Sequence, residues 1–362
     1  MVPDHAHPPR GLIVRDVTLR DFRSYAALEL ELSAGVALLH GPNGAGKTNL
    51  LEALHLGTQG FSPRARRDTQ MIRFGADAGR VQLAGTVGDT RFETDVVLAR
   101  SDSRRTTLNG QRLGSAEQLR HELTTLVFTP DRLAVVKGGP AARRAYFDRV
   151  LGRVFPARAK LPNDYASAVG QRNAALRRIR SGHSSREALA PWTEGVVTLG
   201  GELVRARLAA LELLSPAFAA VAGSLGLEHA ALEYEGEPPT PAELDARLES
   251  DLDRGVTGAG PHLHDVRLRA DERDLRVYGS QGEQRVAVLS LVLAEAEVLR
   301  ERIGATPLVL LDDVLSELDG QRRLALADLV SRIGQTVVTA TSTTAFPAEP
   351  ARALAVEPGR VR

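Results

Sequence analysis

Cysteine is absent from all 362 residues of the chain, which removes disulfides, thiol nucleophiles and cysteine-bound zinc. Aromatic residues make up only 4%, and no surface alternating aromatic with basic residues, the kind that stacks nucleic-acid bases, is legible. Lysine is nearly missing too: Lys47, Lys137 and Lys160 are the only three among 46 basic residues. The rest are arginines, whose planar fork bonds two phosphate oxygens at once. No unbroken apolar run is long enough to span a membrane, so no membrane partner is expected. Met1 to Arg10 is rich in His and Pro and lacks the apolar stretch of a signal peptide; a disordered tail is expected over 1–10. The nine histidines show no metal-ligand spacing, His262 and His264 standing two apart. These absences point to a cytoplasmic protein.

What is present is a phosphate site. Gly41-Pro-Asn-Gly-Ala-Gly-Lys-Thr48 is a complete Walker A loop. The apolar run Val36–His40 before it reads as a strand, and Leu50, Leu51 and Leu54 after it recur at helical spacing. Strand, glycine loop and helix are the context that phosphate binding requires. The glycines let backbone N–H groups approach the anion, and the helix N-terminus adds its partial positive charge. The nucleotide-binding set is therefore Gly41, Pro42, Asn43, Gly44, Ala45, Gly46, Lys47, Thr48 and Asn49. Lys47 reaches the β- and γ-phosphates of ATP, and the Thr48 hydroxyl ligates Mg²⁺, a hard cation that prefers oxygen.

Leu308 to Leu311 is an apolar run suited to a central parallel strand. It ends in Asp312 and Asp313, a costly pair at the end of a buried strand unless it holds a metal or a water. Asp312 is the Mg²⁺ partner, directly or through water; Asp313 orients and polarises the attacking water. A helix N-cap is the plainer use for either Asp, but it leaves the pair beside a Walker A loop unexplained. A third segment, Ser280-Gln-Gly-Glu-Gln284, stands at the start of an apolar stretch through Ala296. Serine, glycine and a helix N-terminus make an anion site. The chain's own P-loop already holds the phosphates, so this second site is free for the γ-phosphate of another subunit. Ser280, Gly282, Glu283 and Gln284 are the candidates there, against the simpler reading of Ser280 as an N-cap.

These motifs, in this order, resemble the RecF family of ABC-type ATPases, which is related to the SMC proteins. The likeness runs nearly end to end. It takes in Asp21-Phe-Arg-Ser-Tyr25, the stretch GPNGAGKTNLLE from Gly41 to Glu52, Phe128-Thr-Pro-Asp131, Gly138-Gly-Pro140 and Arg143–Asp148. It continues through Gln171–Arg177, Gly260-Pro-His262 with Asp265, and Ser316-Glu-Leu-Asp319 behind the aspartates. The resemblance implies an α/β fold: an ABC-ATPase head, a P-loop NTPase, with an inserted α-helical lobe and no long coiled coil. It implies that Arg23 contacts the nucleotide phosphates and that Asp319 lies in a loop crossing a dimer interface. The chain departs from transporter ATPases in three places. Asp313 stands where they carry Glu, which places the carboxylate farther from the water and implies slow hydrolysis. Thr129-Pro-Asp131 replaces the glutamine loop, and Thr339 and Thr341 stand where a switch histidine is usual.

A net charge of +1 conceals an asymmetry. Residues 141–210 carry 13 basic and 5 acidic side chains; residues 211–253 carry 1 basic and 10 acidic. A solvated helix face is the commoner meaning of a basic block, but in an ATPase head of this family DNA contact is the better reading. Further DNA-contact candidates are Arg64, Arg66, Arg67 and Arg73, with Arg100, Arg104 and Arg105. Backbone recognition of duplex fits this composition better than base readout.

Along the chain, 11–127 reads as the first part of the ATPase lobe, with alternation through Leu12–Leu19, a hairpin about Gly88-Asp89 and a tight turn at Asn109-Gly110. Residues 128–259 read as a helical lobe, with helical spacing over 165–180 and 202–214. Residues 260–362, with strands at 266–268 and 275–277, complete the head. The leading expectation is a weak, DNA-stimulated ATPase of recombinational repair. In that reading ATP makes a homodimer on duplex or single/double-strand junctions, which helps load the RecA recombinase with RecO and RecR, and hydrolysis releases it. The alternatives are the ATPase subunit of a membrane transporter, a monomeric P-loop kinase and a scaffold that binds ATP without turnover.

Overall fold

The computed structural model describes residues 10–362. The expected tail over 1–10 lies outside them except at Arg10, where the first strand begins. The chain divides into two compact units. One comprises the described residues up to Arg132 with Ser224–Gly226 and Val288–Arg362; the other comprises Leu133–Gly223 and Leu227–Ala287.

The first unit holds both Walker motifs on a six-stranded sheet. Its order is Arg360–Val361, Arg352–Glu357, Val36–His40, Thr336–Ala340, Leu308–Leu311, Thr125–Phe128. All neighbours pair in parallel except the outermost hairpin. Leu308–Leu311 and Thr336–Ala340 are buried at every position, as strands covered on both faces must be. Thr336–Ala340 separates the two Walker strands, so three carboxyl ends open at one edge, where open α/β sheets bind ligands. A seven-stranded sheet forms the rest of the unit. It contains the expected hairpin of Ala78–Val87 with Thr90–Ala99. At the second turn Asn109 and Gly110 have φ of 51° and 78°, the paired positive values of a primed turn. The helix Lys47–Gln59 buries Leu50, Leu54 and Leu56 in a core shared with Leu19 and Val81 of one sheet and Leu39 and Leu310 of the other.

The second unit is built on the helices Pro140–Val154, Leu161–Arg180 and Ala190–Ser224. Its core gathers Leu151, Tyr165, Val196, Leu203 and Ala210. The helix expected over 202–214 is one continuous element of 35 residues with Pro216 inside it. Residues 186–224 are long and apolar enough, by length and composition alone, to cross a membrane. The stretch passes on average composition and is not an unbroken apolar run, because scattered polar residues interrupt it. One of them, Arg207, is buried and ion-paired to Asp148 at 2.7 Å. The expected boundary at 259/260 is also displaced. Asp265–Ala270 pairs with Ala231–Glu235 and with Arg273–Asp274 in a small sheet of this unit, so the segment through Ala287 belongs here. Ala231–Glu235 had no expected strand, and 275–277, expected as one, is a turn in which Val277 and Tyr278 N–H groups both donate to the Asp274 carbonyl.

The charge asymmetry resolves in part into ion pairs within this unit. Arg172 and Asp251, both almost wholly buried, meet at 2.7 Å, and Arg186 pairs with Glu249. Each pair joins the basic block to the acidic one. Arg143 and Asp265 form a further buried fork. Arg172 also donates to the Thr257 hydroxyl at 3.0 Å, and Asp251 accepts from the Gly258 N–H. Removing one partner of such a pair strands a buried charge, at about 3–5 kcal/mol. Arg172→Ala is therefore expected to lower the stability of this unit by about that amount. Arg172→Ala with Asp251→Ala is expected to cost less than Arg172→Ala alone. Urea unfolding of the three variants checks both statements.

Candidate functional site

The P-loop has the backbone that its sequence demands. Gly41 has φ +154°, and a Cβ there would lie 2.2 Å from the Val356 carbonyl oxygen. Gly46 has φ +113°, and its Cβ would lie 2.8 Å from the Tyr25 hydroxyl. That hydroxyl donates to the Gly46 carbonyl at 3.1 Å, and burial pushes its pKa up to about 12, so it stays a donor. Pro42, Asn43 and Gly44 stand exposed at the loop tip, while Ala45 is buried. The Lys47 ammonium donates to the carbonyls of Gly41 and Pro42 at 2.7 and 2.9 Å, spanning the mouth of the loop. Burial lowers its pKa, and Asp313 and Asp312 oppose that shift. Asn49 donates to Ser24 Oγ at 3.0 Å, fastening the helix to the Asp21–Tyr25 turn.

The two aspartates differ in their surroundings. Asp312 is 5% exposed and Asp313 is exposed. Asp312 Oδ1 accepts from the hydroxyls of Thr48 and Thr339, each at 3.0 Å. Burial raises the Asp312 pKa, and those two hydrogen bonds work against the rise. The Thr48 hydroxyl and Asp312 carboxylate are adjacent hard oxygen donors, a set that fits Mg²⁺. The Asp313 N–H donates to Thr339 Oγ1 at 2.8 Å. Asp313 itself has φ +51°, a left-handed conformation unusual for a non-glycine residue. Thr339 therefore aims both aspartates, a role that motif reading noticed only as a missing histidine.

Glu52 is the functional residue that sequence reasoning passed over. It sits on the P-loop helix with 1% exposure. Arg23 grips it with two hydrogen bonds of 2.8 and 2.7 Å and gives a third, of 2.6 Å, to the Gln70 carbonyl. Ser62 Oγ also donates to Glu52, and Arg64 lies 3.6 Å from it. The Arg23 guanidinium expected at the nucleotide phosphates is thus committed to Glu52 and Gln70. The available signal was a carboxylate among Leu50, Leu51 and Leu54, which needs a buried partner.

The arginines of 64–73 and 100–105, distant in sequence, share one face of this unit. Arg104 reaches Asp68 at 3.3 Å, and Arg100 Nε donates to the Ala76 carbonyl at 2.8 Å. Arg73 is tied to Asp21 at 2.7 Å. Arg64, Arg66, Arg67 and Arg105 are exposed. Asp319 caps the helix Gly320–Ile333 by accepting from the Arg322 N–H.

Ser280–Gln284, the signature segment, begins the helix Gln281–Val298 within the second unit. Ser280 and Glu283 form a reciprocal cap: the Ser280 N–H donates to Glu283 Oε2 at 2.7 Å and the Glu283 N–H to Ser280 Oγ at 3.2 Å. The bond from the Ser280 N–H holds the Glu283 carboxyl below its usual range. Gln284 is buried and donates to the Leu275 carbonyl at 2.7 Å. A Cβ on Gly282 would meet nothing closer than Ser280 Oγ at 4.0 Å. No neighbour in the chain requires glycine there, although glycine costs a helix up to about 1 kcal/mol.

The family model of the RecF/RecN/SMC N-terminal domain matches residues 13–356. The DNA replication and repair protein RecF of Heliobacterium modesticaldum is 34% identical, covering 93% of this chain and 94% of that protein. The protein of the same name from Anaeromyxobacter dehalogenans is 39% identical over 89% and 91%. The solved structure of the recombination mediator protein RecF with ATP in the RecFOR pathway superposes with a TM-score of 0.83 at 26% identity, covering 99% of both chains. An SMC head from Pyrococcus furiosus, at 17% identity and a TM-score of 0.60, shares the fold. With both Walker motifs on the expected sheet and the inserted helical unit in place, the chain belongs to the RecF family of ABC-type ATPases, within the wider group of SMC-related heads.

Proposed function

We propose that this chain is an ATP-dependent DNA-binding protein of recombinational DNA repair. Two copies close head to tail on ATP, engage gapped or duplex DNA, and help load the RecA recombinase together with RecO and RecR in the cytoplasm. The observation carrying this reading is the contrast between Gly282, required by nothing in its own chain, and the complete Walker half built around Asp312.

In this reading ATP with Mg²⁺ supplies the phosphates that join the halves and the bond that is hydrolysed. Gly41–Thr48 and Lys47 hold the phosphates of one subunit's nucleotide, and Thr48 with Asp312 holds the metal. Thr339 fixes the aspartates, so Asp313 projects toward the attacking water and draws off its proton. Ser280, with the Gly282 helix end, completes the site from the other copy. Asp313 is one methylene shorter than Glu, which suits slow turnover and a long-lived closed state. Arg64, one of the candidate DNA-contact arginines, lies beside Glu52 of the P-loop helix.

DNA binding by that face rests on phosphate contacts and is expected to weaken steeply with salt, at about −0.9 in log K per log salt for each phosphate neutralised. Charge reversal at Arg66, Arg67 and Arg105 is expected to flatten the slope by roughly one contact each. Fluorescence anisotropy on duplex over a salt series measures it. An unchanged slope places the DNA surface elsewhere.

A further inference from the structure

We infer that Phe74 is a stacking platform for a nucleobase of DNA at a single/double-strand junction. The inference rests on the DNA-binding reading and adds a ligand subsite to it.

Phe74 is 97% exposed, the most exposed large hydrophobic side chain among the described residues. It is not a residue on a loose loop. Arg73 and Ala76 close a tight turn through a 3.0 Å backbone hydrogen bond, with Phe74 and Gly75 at its tip. Gly75 has φ +86°, the conformation a type II turn requires at that position. The Arg73 N–H donates to the Asp21 carbonyl at 2.8 Å, and its guanidinium pairs with the Asp21 carboxylate. On the other side Arg100 Nε holds the Ala76 carbonyl at 2.8 Å. The backbone of the turn is thus braced on both flanks, and it presents the ring to solvent.

The surroundings select the ligand. Arg64, Arg66 and Arg67 lie on the same loop, and Arg104 is drawn to it through Asp68. A polyanion is the partner this charge attracts. A phosphate backbone has no use for an apolar ring, whereas a base offers a π-face, and stacking is indifferent to which base it is. A protein partner would call for a broader apolar surface. The other exposed aromatic ring of this loop, Phe61, is engaged by the edge of His55 and by the Arg120 guanidinium. One isolated ring amid arginines has the form of a stacking post or wedge. In an intact duplex the bases are already stacked. The ring gains most where a base pair ends, so the site discriminates junctions from continuous duplex.

The test uses the full chain with ATP and Mg²⁺, a covalently closed circular duplex, and a recessed-end duplex with 2-aminopurine at the first unpaired position. Phe74→Ala is expected to weaken junction binding by about tenfold, to leave closed-circular duplex affinity and salt slope unchanged, and to abolish the 2-aminopurine quenching expected with the unaltered protein. Phe74→Trp is expected to restore both. Its exposure means that the melting temperature stays put in either variant. Equal losses on both DNAs, or no loss and unaltered quenching, overturn the stacking role. In that case Arg66 and Arg67 charge reversal still reports separately: reduced binding there leaves DNA binding by this face standing, and unchanged binding places the DNA surface elsewhere.

Discussion

Lys47→Met is expected to lower ATP affinity by about 10²- to 10³-fold, the equivalent of the roughly 3–5 kcal/mol lost when a desolvated ion is left without its partner. The Lys47 ammonium is the cation at the mouth of the loop, already partly stripped of water and held by two carbonyls of the loop itself. Methionine keeps much of the length and removes both the charge and the two hydrogen bonds that the ammonium donates to those carbonyls. The loss therefore has a binding component and a component from a looser loop. Titration calorimetry separates them when Lys47→Arg is included, since arginine restores charge with different geometry. Wild-type affinity in Lys47→Met would take this residue out of the phosphate site.

Asp313→Asn is expected to bind ATP and dimerise normally yet hydrolyse at least about 10²-fold more slowly, the usual scale for losing a general base. The geometry separates this change from damage to the metal site. Asp312 carries the hydroxyl contacts of Thr48 and Thr339, whereas Asp313 is tied through its backbone, its N–H donating to Thr339 and its carbonyl accepting from Ser316 Oγ, and leaves its side chain exposed. The N–H contact survives the substitution. Single-turnover hydrolysis together with Mg²⁺-dependent nucleotide affinity decides between the two aspartates. Normal turnover in Asp313→Asn, with loss in Asp312→Asn, reverses their roles.

How much of this was readable beforehand depended on whether a residue's partners lie near it in sequence. The P-loop, its flanking strand and helix, and the Leu308–Asp313 strand are contiguous signals, and each stands where its pattern indicated. The Asn109-Gly110 turn was equally plain, because its chemistry is local. Glu52 was not. Its meaning comes from Arg23 and Ser62, which only the fold brings to it. Thr339 likewise gains its role from lying on the strand between the Walker strands. Net charge by segment overstated the free basic surface, since the buried Arg143, Arg172 and Arg207 spend their charge on the buried Asp251 and the half-buried Asp265 and Asp148. The low aromatic content hid Phe74, because composition counts rings and says nothing of where a single one stands. The unit boundary was misjudged because Ala231–Glu235, short and flanked by glycine and proline, gave little sign that it would pair with Asp265–Ala270 and draw the signature segment into the helical unit.

Mixing two defective chains probes most directly whether each ATP site is shared between copies. Ser280→Arg is expected to leave ATP binding by the monomer nearly intact, because Lys47, Thr48 and Asp312 belong to one chain's Walker half. The same substitution blocks the helix end behind Gly282 and prevents ATP-dependent dimerisation. A heterodimer of Lys47→Met and Ser280→Arg chains contains one site with both halves intact and one with both halves damaged. Light scattering with ATP and Mg²⁺ is expected to show monomers for each variant alone and partial dimer in the mixture. Loss of monomer ATP affinity in Ser280→Arg as large as that in Lys47→Met, with no dimer in the mixture, would mean that the serine acts within its own chain and that two copies do not share the nucleotide.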